Sequence, residues 1–454
     1  MSAFIINVLK SFGVNKAIGF GVLTRMWSAL AGPLTIFLIA TRFSKIEQGY
    51  YYTFSSLLAM QIFFELGLLT VLSQFAAHEF AFLSWGKKGE IIGIKKHHER
   101  FIDLLGKGFK WYTVSAVLLI IVLIPAGFLF FAGSLDNSAD ISWRLPWSLA
   151  VIGVGCNLLL IPFYAVITGS GDVASINRRE MMGGMAGSII GWLVIASGGG
   201  LYAVPAVTTG TIAVGVVYLF RSKPRLVKTA VSSALGRHRS SHTISWWGEV
   251  WPMQWKIALS WVSGYFTFMF FTPILFKFRG PIVAGQMGMT LSIWSAILAT
   301  CFTWMTVKSP VFGKLIATKS WKELDVEFFR SLKQAAKATV LFSSLALAGI
   351  YVLQQYTHFG ERIISMNYVL LMFVTLLALV VINAFSTYLR AHKREPFLYL
   401  SIFAALLQTL CSVVFGKMYS YQGIIIGFTI LILLFFFPLA YLIWIRCRRD
   451  WHKV

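Results

Sequence analysis

Apolar residues in this chain come in long runs. They do not follow the three-to-four-residue spacing of a surface helix or the alternation of a half-buried strand. Twelve runs stand out, at 17–40, 48–75, 111–133, 145–168, 181–198, 201–220, 250–275, 282–307, 334–354, 367–389, 397–416 and 422–445. A helix that crosses a bilayer needs about 20 apolar residues at ~1.5 Å rise each. Most of the runs meet that length; the fifth and sixth are short and rich in glycine. No connection is long enough to hold a folded soluble domain. The pattern predicts an all-α integral membrane protein of about twelve transmembrane helices.

Two opposite charges interrupt the first two runs: Arg25 in the run from Ala17 to Ala40, and Glu65 in the run from Gln48 to Phe75. An ionised side chain at such depth costs at least ~2.5–3.5 kcal/mol unless it meets a partner or a wet cavity. A hairpin brings both to similar depth, about 12–15 Å from one face. Two expectations follow: an Arg25–Glu65 pair lining an interior cavity, or a structural ion pair that locks two helices together.

Hydrophobic residues make up 57% of the chain and charged residues 13%, about half the charge of a soluble domain. The net charge of +23 raises the question of nucleic acid, but its distribution points elsewhere. With the N-terminus placed in the cytoplasm, thirty-one of the 40 Lys and Arg residues fall on the cytoplasmic side. The outer side holds only Arg42, Lys45, Arg144, Lys277, Arg279, Arg362 and Lys417. That asymmetry predicts cytoplasmic termini and an even helix count, with attraction to anionic membrane lipids and no nucleic-acid partner. Cys156, Cys301, Cys411 and Cys447 have neither metal-ligand spacing nor an evident outer partner, so no metal and no disulfide are expected. The first fifteen residues are too polar, and the first apolar run too long, for a cleaved leader.

The chain reads as duplicated. Phe43-Ser44-Lys45-Ile46-Glu47-Gln48-Gly49 follows the first run, and Phe278-Arg279-Gly280-Pro281-Ile282-Val283-Ala284-Gly285 follows the seventh, with the final glycines 236 positions apart. Asn177-Arg178-Arg179-Glu180 and His392-Lys393-Arg394-Glu395 form a second match, 215 apart. Two six-helix bundles related by an internal repeat are predicted, over 1–228 and 249–454, joined by a basic cytoplasmic linker at 229–248. The first offset sets Glu65 against Cys301 and Arg25 near Trp261, so the second half builds its bundle without the charge pair. Two segments, Ile91 to Trp111 and Trp321 to Lys337, mix large apolar residues with lysine and arginine. Each is expected to be an amphipathic helix lying on the membrane.

The stretch Ile39-Ala40-Thr41-Arg42-Phe43-Ser44-Lys45-Ile46-Glu47-Gln48-Gly49-Tyr50-Tyr51-Tyr52 resembles the loop joining the first two helices of polysaccharide flippases. These belong to the multidrug/oligosaccharidyl-lipid/polysaccharide exporter superfamily. Phe64-Glu65-Leu66-Gly67-Leu68 and Gln74-Phe75-Ala76-Ala77-His78-Glu79 are similar to that group as well. The resemblance implies alternating access in a bacterial inner membrane. It implies an anionic cargo, an oligosaccharide on a polyprenyl diphosphate, moved to the outer leaflet for O-antigen or exopolysaccharide synthesis. It also implies functional association with polysaccharide polymerase machinery. The chain departs from this picture in the second half, where few basic residues lie within the spans and Lys256 is the candidate.

A diphosphate cargo requires a cationic, hydrated cavity, and arginine's fork of donors suits phosphate. The candidates for substrate binding are Arg25, Arg42, Lys256, Lys277 and Arg279. Glu65 is the candidate coupling carboxylate: by taking a proton it would release Arg25 to the cargo. Glu79, beside His78, is the alternative. Tyr50, Tyr51 and Tyr52, with Trp246, Trp247, Trp251 and Trp255, are candidates for sugar stacking or for an interfacial belt. Gln61, Asn157, Gln254, Asn383 and Gln408 are candidates for the lumen or for helix–helix hydrogen bonds. Pro33 and Pro273 are candidate points of helix bending.

Three other readings compete. A multidrug exporter of the same superfamily would need a cation-binding carboxylate, and the first span has none. A membrane enzyme would need an exposed catalytic loop. The longest outer loop, Gly133 to Leu145, holds Asp136 and Asp140 without a convincing pair, and no cofactor motif is present. A scaffold would have no use for buried charge. The expectation is a transporter and not an enzyme.

Overall fold

The apolar runs are helical, and the breaks within them follow residue chemistry. The computed structural model describes residues 16–133, 141–237, 241–392 and 394–452; Asp136, Asp140 and Lys393 lie outside these. In chain order the helices begin with α1 (Lys16–Arg42), α2 (Lys45–Leu58), α3 (Ile62–Glu65) and α4 (Leu68–Phe80). A β-hairpin follows, β1 (Leu83–Trp85) pairing antiparallel with β2 (Ile91–Gly93). Then come α5 (Lys95–Ala132), α6 (Arg144–Leu158), α7 (Ile161–Gly169), α8 (Val173–Ala196), α9 (Ala203–Ser222) and α10 (Pro224–Ala234). The second half holds α11 (Trp251–Phe268), α12 (Phe271–Arg279), α13 (Pro281–Ala317), α14 (Trp321–Tyr356), α15 (Met366–Ala391), α16 (Leu398–Ile430) and α17 (Phe437–Trp451).

Among the described residues, eight helical segments are long and apolar enough to cross a membrane, and ten if two bent pairs each count once. Two more passes complete the expected twelve. One is α8, which is 24 residues long but diluted by Arg178, Arg179, Glu180 and its glycines. The other comes from the segment Leu398–Trp451, which is two passes. Its backbone leaves the helix at Tyr419 and Ser420 (φ 60°). Beyond that point Gly423 packs on Phe415, and Gly427 on Cys411. Both contacts centre on residue 419, so the chain doubles back there. The bend of 42° between α11 and α12 precedes Pro273 by one turn, and the proline ring excludes the carbonyl of Met269 from a straight helix. Pro33, in contrast, lies inside an uninterrupted α1.

The described residues fall into two compact units, each an all-α bundle apart from one short hairpin. The first holds 16–42, 57–132 and 141–262; the second holds 43–56, Gly133 and 263–452. The boundaries differ from the expected 228 and 249. Residues 43–56 belong with the second unit because Gln48 there donates to the carbonyls of Gly285 (2.9 Å) and Arg362 (3.0 Å), while Arg362 donates to Phe43 O (2.6 Å). Gly49 and Gly285, the two glycines of the repeat, meet backbone to backbone at this crossing. A Cβ on Gly49 would lie 2.0 Å from Pro281 O, and one on Gly285 2.9 Å from Gly49 N.

In the first unit, α8 carries a buried stripe at Arg179, Gly183, Gly187, Gly191 and Ile195. Small residues at four-residue spacing let helix backbones approach, and a Cβ on Gly210 of α9 would come within 2.8 Å of Gly187 Cα. The segment expected as a free linker is docked. Ser233 of α10 donates to Ile102 O (3.2 Å). Glu99 accepts the amides of Ser241 and His242, and Asp103 accepts that of Ile244 at 2.7 Å. Arg100 bridges Glu79 (2.8 Å) and Glu249 (2.7 Å).

The expected interfacial helices are corrected as well. Residues 91–93 are a strand, and 95–111 open the 38-residue α5, with Phe101, Ile102, Leu104 and Leu105 buried in protein. Trp321–Lys337 likewise opens α14, and its Leu324 and Phe328 are fully buried among Phe385, Tyr388 and Trp444. Much of the apolar face that the pattern assigned to lipid is covered by neighbouring helices, while Ile94 and Phe329 stay exposed.

Candidate functional site

The second span of the first unit breaks at Glu65. Leu66 (φ 50°) and Gly67 (φ 66°) are both left-handed, and the helical run Lys45–Glu65 bends by 44° into α4. Two consecutive left-handed residues are costly unless one is glycine. Gly67 is needed for space too, since a Cβ there would lie 2.5 Å from Ile257 Cγ2. The break leaves amides free at the start of α4, and the Glu65 carboxylate lies near one of them, that of Leu69. A negative charge is favoured at that helix end. Tyr112 of α5 donates its hydroxyl to Glu65 at 3.3 Å, and Ser115 donates to Phe64 O at 2.9 Å. Gln254, one turn before Ile257, is fully buried with neither end of its amide hydrogen-bonded.

The expected Arg25–Glu65 ion pair is therefore not formed. The reason is packing: Glu65 faces α5, while α1 lies against α8. Gly21 abuts Asn177, and Trp192 donates to Thr35 at 2.8 Å. Those contacts keep one offset, 177 − 21 = 156 and 192 − 35 = 157, so α1 and α8 run parallel in register. Arg25 thus lies within a turn of the level of Arg179.

Arg179 is a residue that reading the sequence missed. Its side chain is buried, its guanidinium carbon lies 3.8 Å from the centroid of the Tyr164 ring, and its Nε has no hydrogen-bond partner. Among the described residues no carboxylate lies within ion-pairing distance of it. The hydroxyls of Tyr164 and Tyr218 beside it are also buried, that of Tyr164 facing Arg179 and that of Tyr218 facing Ser175. Toward the helix ends Lys223 lies 3.6 Å from Asp172 and 3.7 Å from the centre of the Trp85 ring, and Trp85 donates to Ser170 at 2.9 Å. Burial pulls the Lys223 ammonium below its ordinary range by more than Asp172 raises it. The expected fifth span began at 181 and left Arg179 in a loop. The signal was available: Arg179 stands one four-residue step before Gly183, Gly187 and Gly191. A desolvated arginine without a carboxylate is an anion site in waiting, because its donors can be satisfied by an incoming phosphate or carboxylate.

The other candidates are scattered. Arg42 is exposed at the end of α1, about 25 Å along the helix from Arg25. Lys256 is exposed, 5.8 Å from the centre of the Trp255 ring. In the second unit Lys277 donates to Gly133 O at 3.2 Å. Arg279 is consumed by structure: it donates to Lys417 O and Met418 O, each at 2.7 Å, where the chain turns back. Tyr50 and Tyr52 are neither belt nor sugar platform but core, Tyr50 edge-on to Phe276 at 4.9 Å and Tyr52 against Gly288. Gln408 donates to Ser412 at 3.1 Å, and its Oε1 is buried without a partner. Glu79 is tied to His97 (2.7 Å) and Arg100.

No family model and no curated protein matches the chain. Solved structures do. A multidrug resistance MATE family transporter of the MOP superfamily in an inward-facing conformation aligns with a TM-score of 0.63 at 13% identity, over 97% of this chain and 100% of that one. The fold is similar to that of MOP transporters. An outward-facing structure of a multidrug resistance MATE family transporter aligns at 0.56 and 13%, over 97% and 96%. A MOP superfamily transporter from Pyrococcus furiosus, for which reversed polarity of the binding pocket suggests a different function, aligns at 0.53 and 14%, over 96% and 94%. This MOP likeness, at such identities, concerns architecture: an all-α membrane-spanning fold.

Proposed function

We propose that this protein is a transporter, not an enzyme, that moves an anionic lipid-linked oligosaccharide across the bacterial inner membrane by alternating access. The observation that carries the reading is Arg179, a buried guanidinium with an unpartnered Nε and, among the described residues, no carboxylate within ion-pairing distance. An anion bound at Arg179 would satisfy that guanidinium, and Arg25 lies within a turn of the same level on the adjoining helix. A polyprenyl diphosphate supplies such an anion. The MOP fold has been solved facing both ways, which supports alternating access, and the excess of basic residues on one side supports cytoplasmic termini. Glu65, held at a helix break, is the group we assign to proton coupling. Association with a polysaccharide polymerase follows from the same reading.

A second reading has support of its own. Two neighbours are multidrug resistance transporters, and Glu65 is a buried carboxylate that a cationic drug could use. One experiment separates the two. The protein is depleted, and the accessibility of lipid-linked oligosaccharide to an outside reagent is scored in intact spheroplasts, with export of an organic cation measured in parallel. Complementation by wild type is expected to restore outward cargo. Arg179→Ala is expected to lose about tenfold or more of that activity, the worth of a charged hydrogen bond, with Arg179→Lys intermediate. Cation export that depends on Glu65 and ignores Arg179, with cargo distribution unchanged, would establish multidrug export instead.

A further inference from the structure

We infer that the first unit carries a binding groove for an anionic phospholipid along one face of α5. This site does not rest on the cargo proposed above, since it uses none of the Arg179 cluster. Lys107, Lys110, Trp111, Val114 and Leu118 recur at helical spacing and line a groove of about 690 Å³. The opposite wall is the broken second span at Phe63, Phe64 and Leu66, and Trp246 stacks on Trp111 at 5.5 Å to form one side.

The groove changes character along its length as a lipid does. Two ammonium groups stand at one end, where the polar opening of α5 gives way to its apolar run. Tryptophan comes next, the residue enriched at the headgroup level, and aliphatic side chains follow. From Lys107 to Leu118 the helix rises about 16 Å, the reach of most of an acyl chain. Val114 and Leu118 are each about half exposed, so the groove opens outward.

The lysines differ in role. Lys107 is already held by Asp103 (2.8 Å) and Ile244 O (2.6 Å), which fixes its ammonium at the groove mouth. Lys110 is exposed and makes no ion pair among the described residues. A phosphate between them would complete the charge balance that Asp103 supplies for one lysine only. Phosphate on a two-tailed lipid, rather than free phosphate, is the occupant that uses both ends of the groove.

The test is native mass spectrometry of the full-length protein with phosphatidylglycerol and phosphatidylcholine added in competition. One phosphatidylglycerol is expected to be retained in preference to phosphatidylcholine, with no displacement by inorganic phosphate. Lys110→Gln should weaken retention about fivefold and Lys110→Glu about 25-fold, at the worth of one and two surface charges. Val114→Trp should abolish it by filling the groove, and Lys228→Glu, an exposed charge on α10, should leave it unchanged. Lys110→Gln alters one exposed side chain and keeps the test valid if bulkier variants fail to fold. Equal retention of phosphatidylcholine, or insensitivity to both Lys110 variants, would overturn the proposal.

Discussion

The second spans of the two halves began from one pattern and ended differently. In the first half the helix breaks after Glu65, through Leu66 and Gly67 in left-handed conformations. In the second half α13 runs unbroken for 37 residues, and the repeat sets Cys301 and Thr303 where the first half has Glu65 and Gly67. Cys301 is fully buried against Ala335, Ala338 and Val380. The polar group and the break go together, for a physical reason. An intact helix in an apolar setting satisfies its own amides and offers a carboxylate nothing; a broken one exposes amides that a carboxylate can accept. The two arginine environments repeat the lesson. In the second unit Asp325 holds Arg448 at 3.0 and 2.5 Å and accepts from Tyr388 at 3.2 Å, so that cluster is complete. In the first unit Arg179 has tyrosines and, among the described residues, no acid within ion-pairing distance. Both units keep some buried polar atoms without partners; what differs is that the Arg448 guanidinium is paired with an acid and, among the described residues, that of Arg179 is not.

The comparison can be broken at its sharpest point by moving the acid. Cys301→Glu would place a carboxylate in the second half without a helix break to receive it. The expected cost is on the order of 3–5 kcal/mol, that of an uncompensated buried charge, seen as loss of folded protein in detergent by size exclusion. Normal yield and melting would mean that the second half also has a wet interior, and the contrast would fail. Next in size, Gly67→Ala meets both a positive φ and Ile257, for about 2–4 kcal/mol. Thr303→Ala at the matching position should stay within about 0.5 kcal/mol. Thermal unfolding of the two variants side by side tests whether the break is specified locally; equal melting points would show that it is not.

The smallest effect is one of pH. His452 stacks on Trp321 (4.3 Å between centres), and its Nε2 lies 3.2 Å from the Tyr388 hydroxyl. Burial pulls the imidazole below its ordinary value of about 6.5. The folded state therefore takes up this proton at lower pH than the unfolded chain does. The stabilisation is present in full above about pH 6.5 and declines as pH falls toward the folded value. The melting temperature should drop modestly between pH 7 and pH 5, and His452→Gln should flatten that dependence.

How far these features could be read in advance depends on the residue. Spans showed plainly, because twenty apolar residues in a row have one physical outcome. Gly49 and Gly285 were visible as a repeat, and they proved to be a close helix crossing. Arg279 was misjudged because its neighbours in sequence say nothing of the carbonyls at 417 and 418, which a turn 138 residues later brings to it. Hydropathy alone leaves Arg179 in a loop, whereas the helix that carries its glycine stripe begins at Val173. The docked stretch 241–244 reads as part of the linker 229–248 because its acidic anchors, Glu99 and Asp103, lie far back in the chain.

By itself, then, the sequence determined the solvent of this protein, its number of passes, its duplicated plan and the glycines at which chains must touch. These follow from hydrophobicity and backbone sterics, which act within a turn or two of the residue concerned. Only the tertiary structure decided which charges are partnered. Whether Glu65 meets Arg25 or Tyr112, and whether Arg179 meets an acid or none, depends on helix rotation and on which helices are neighbours. Those are set by the summed packing of many side chains, and no single stretch of sequence contains them.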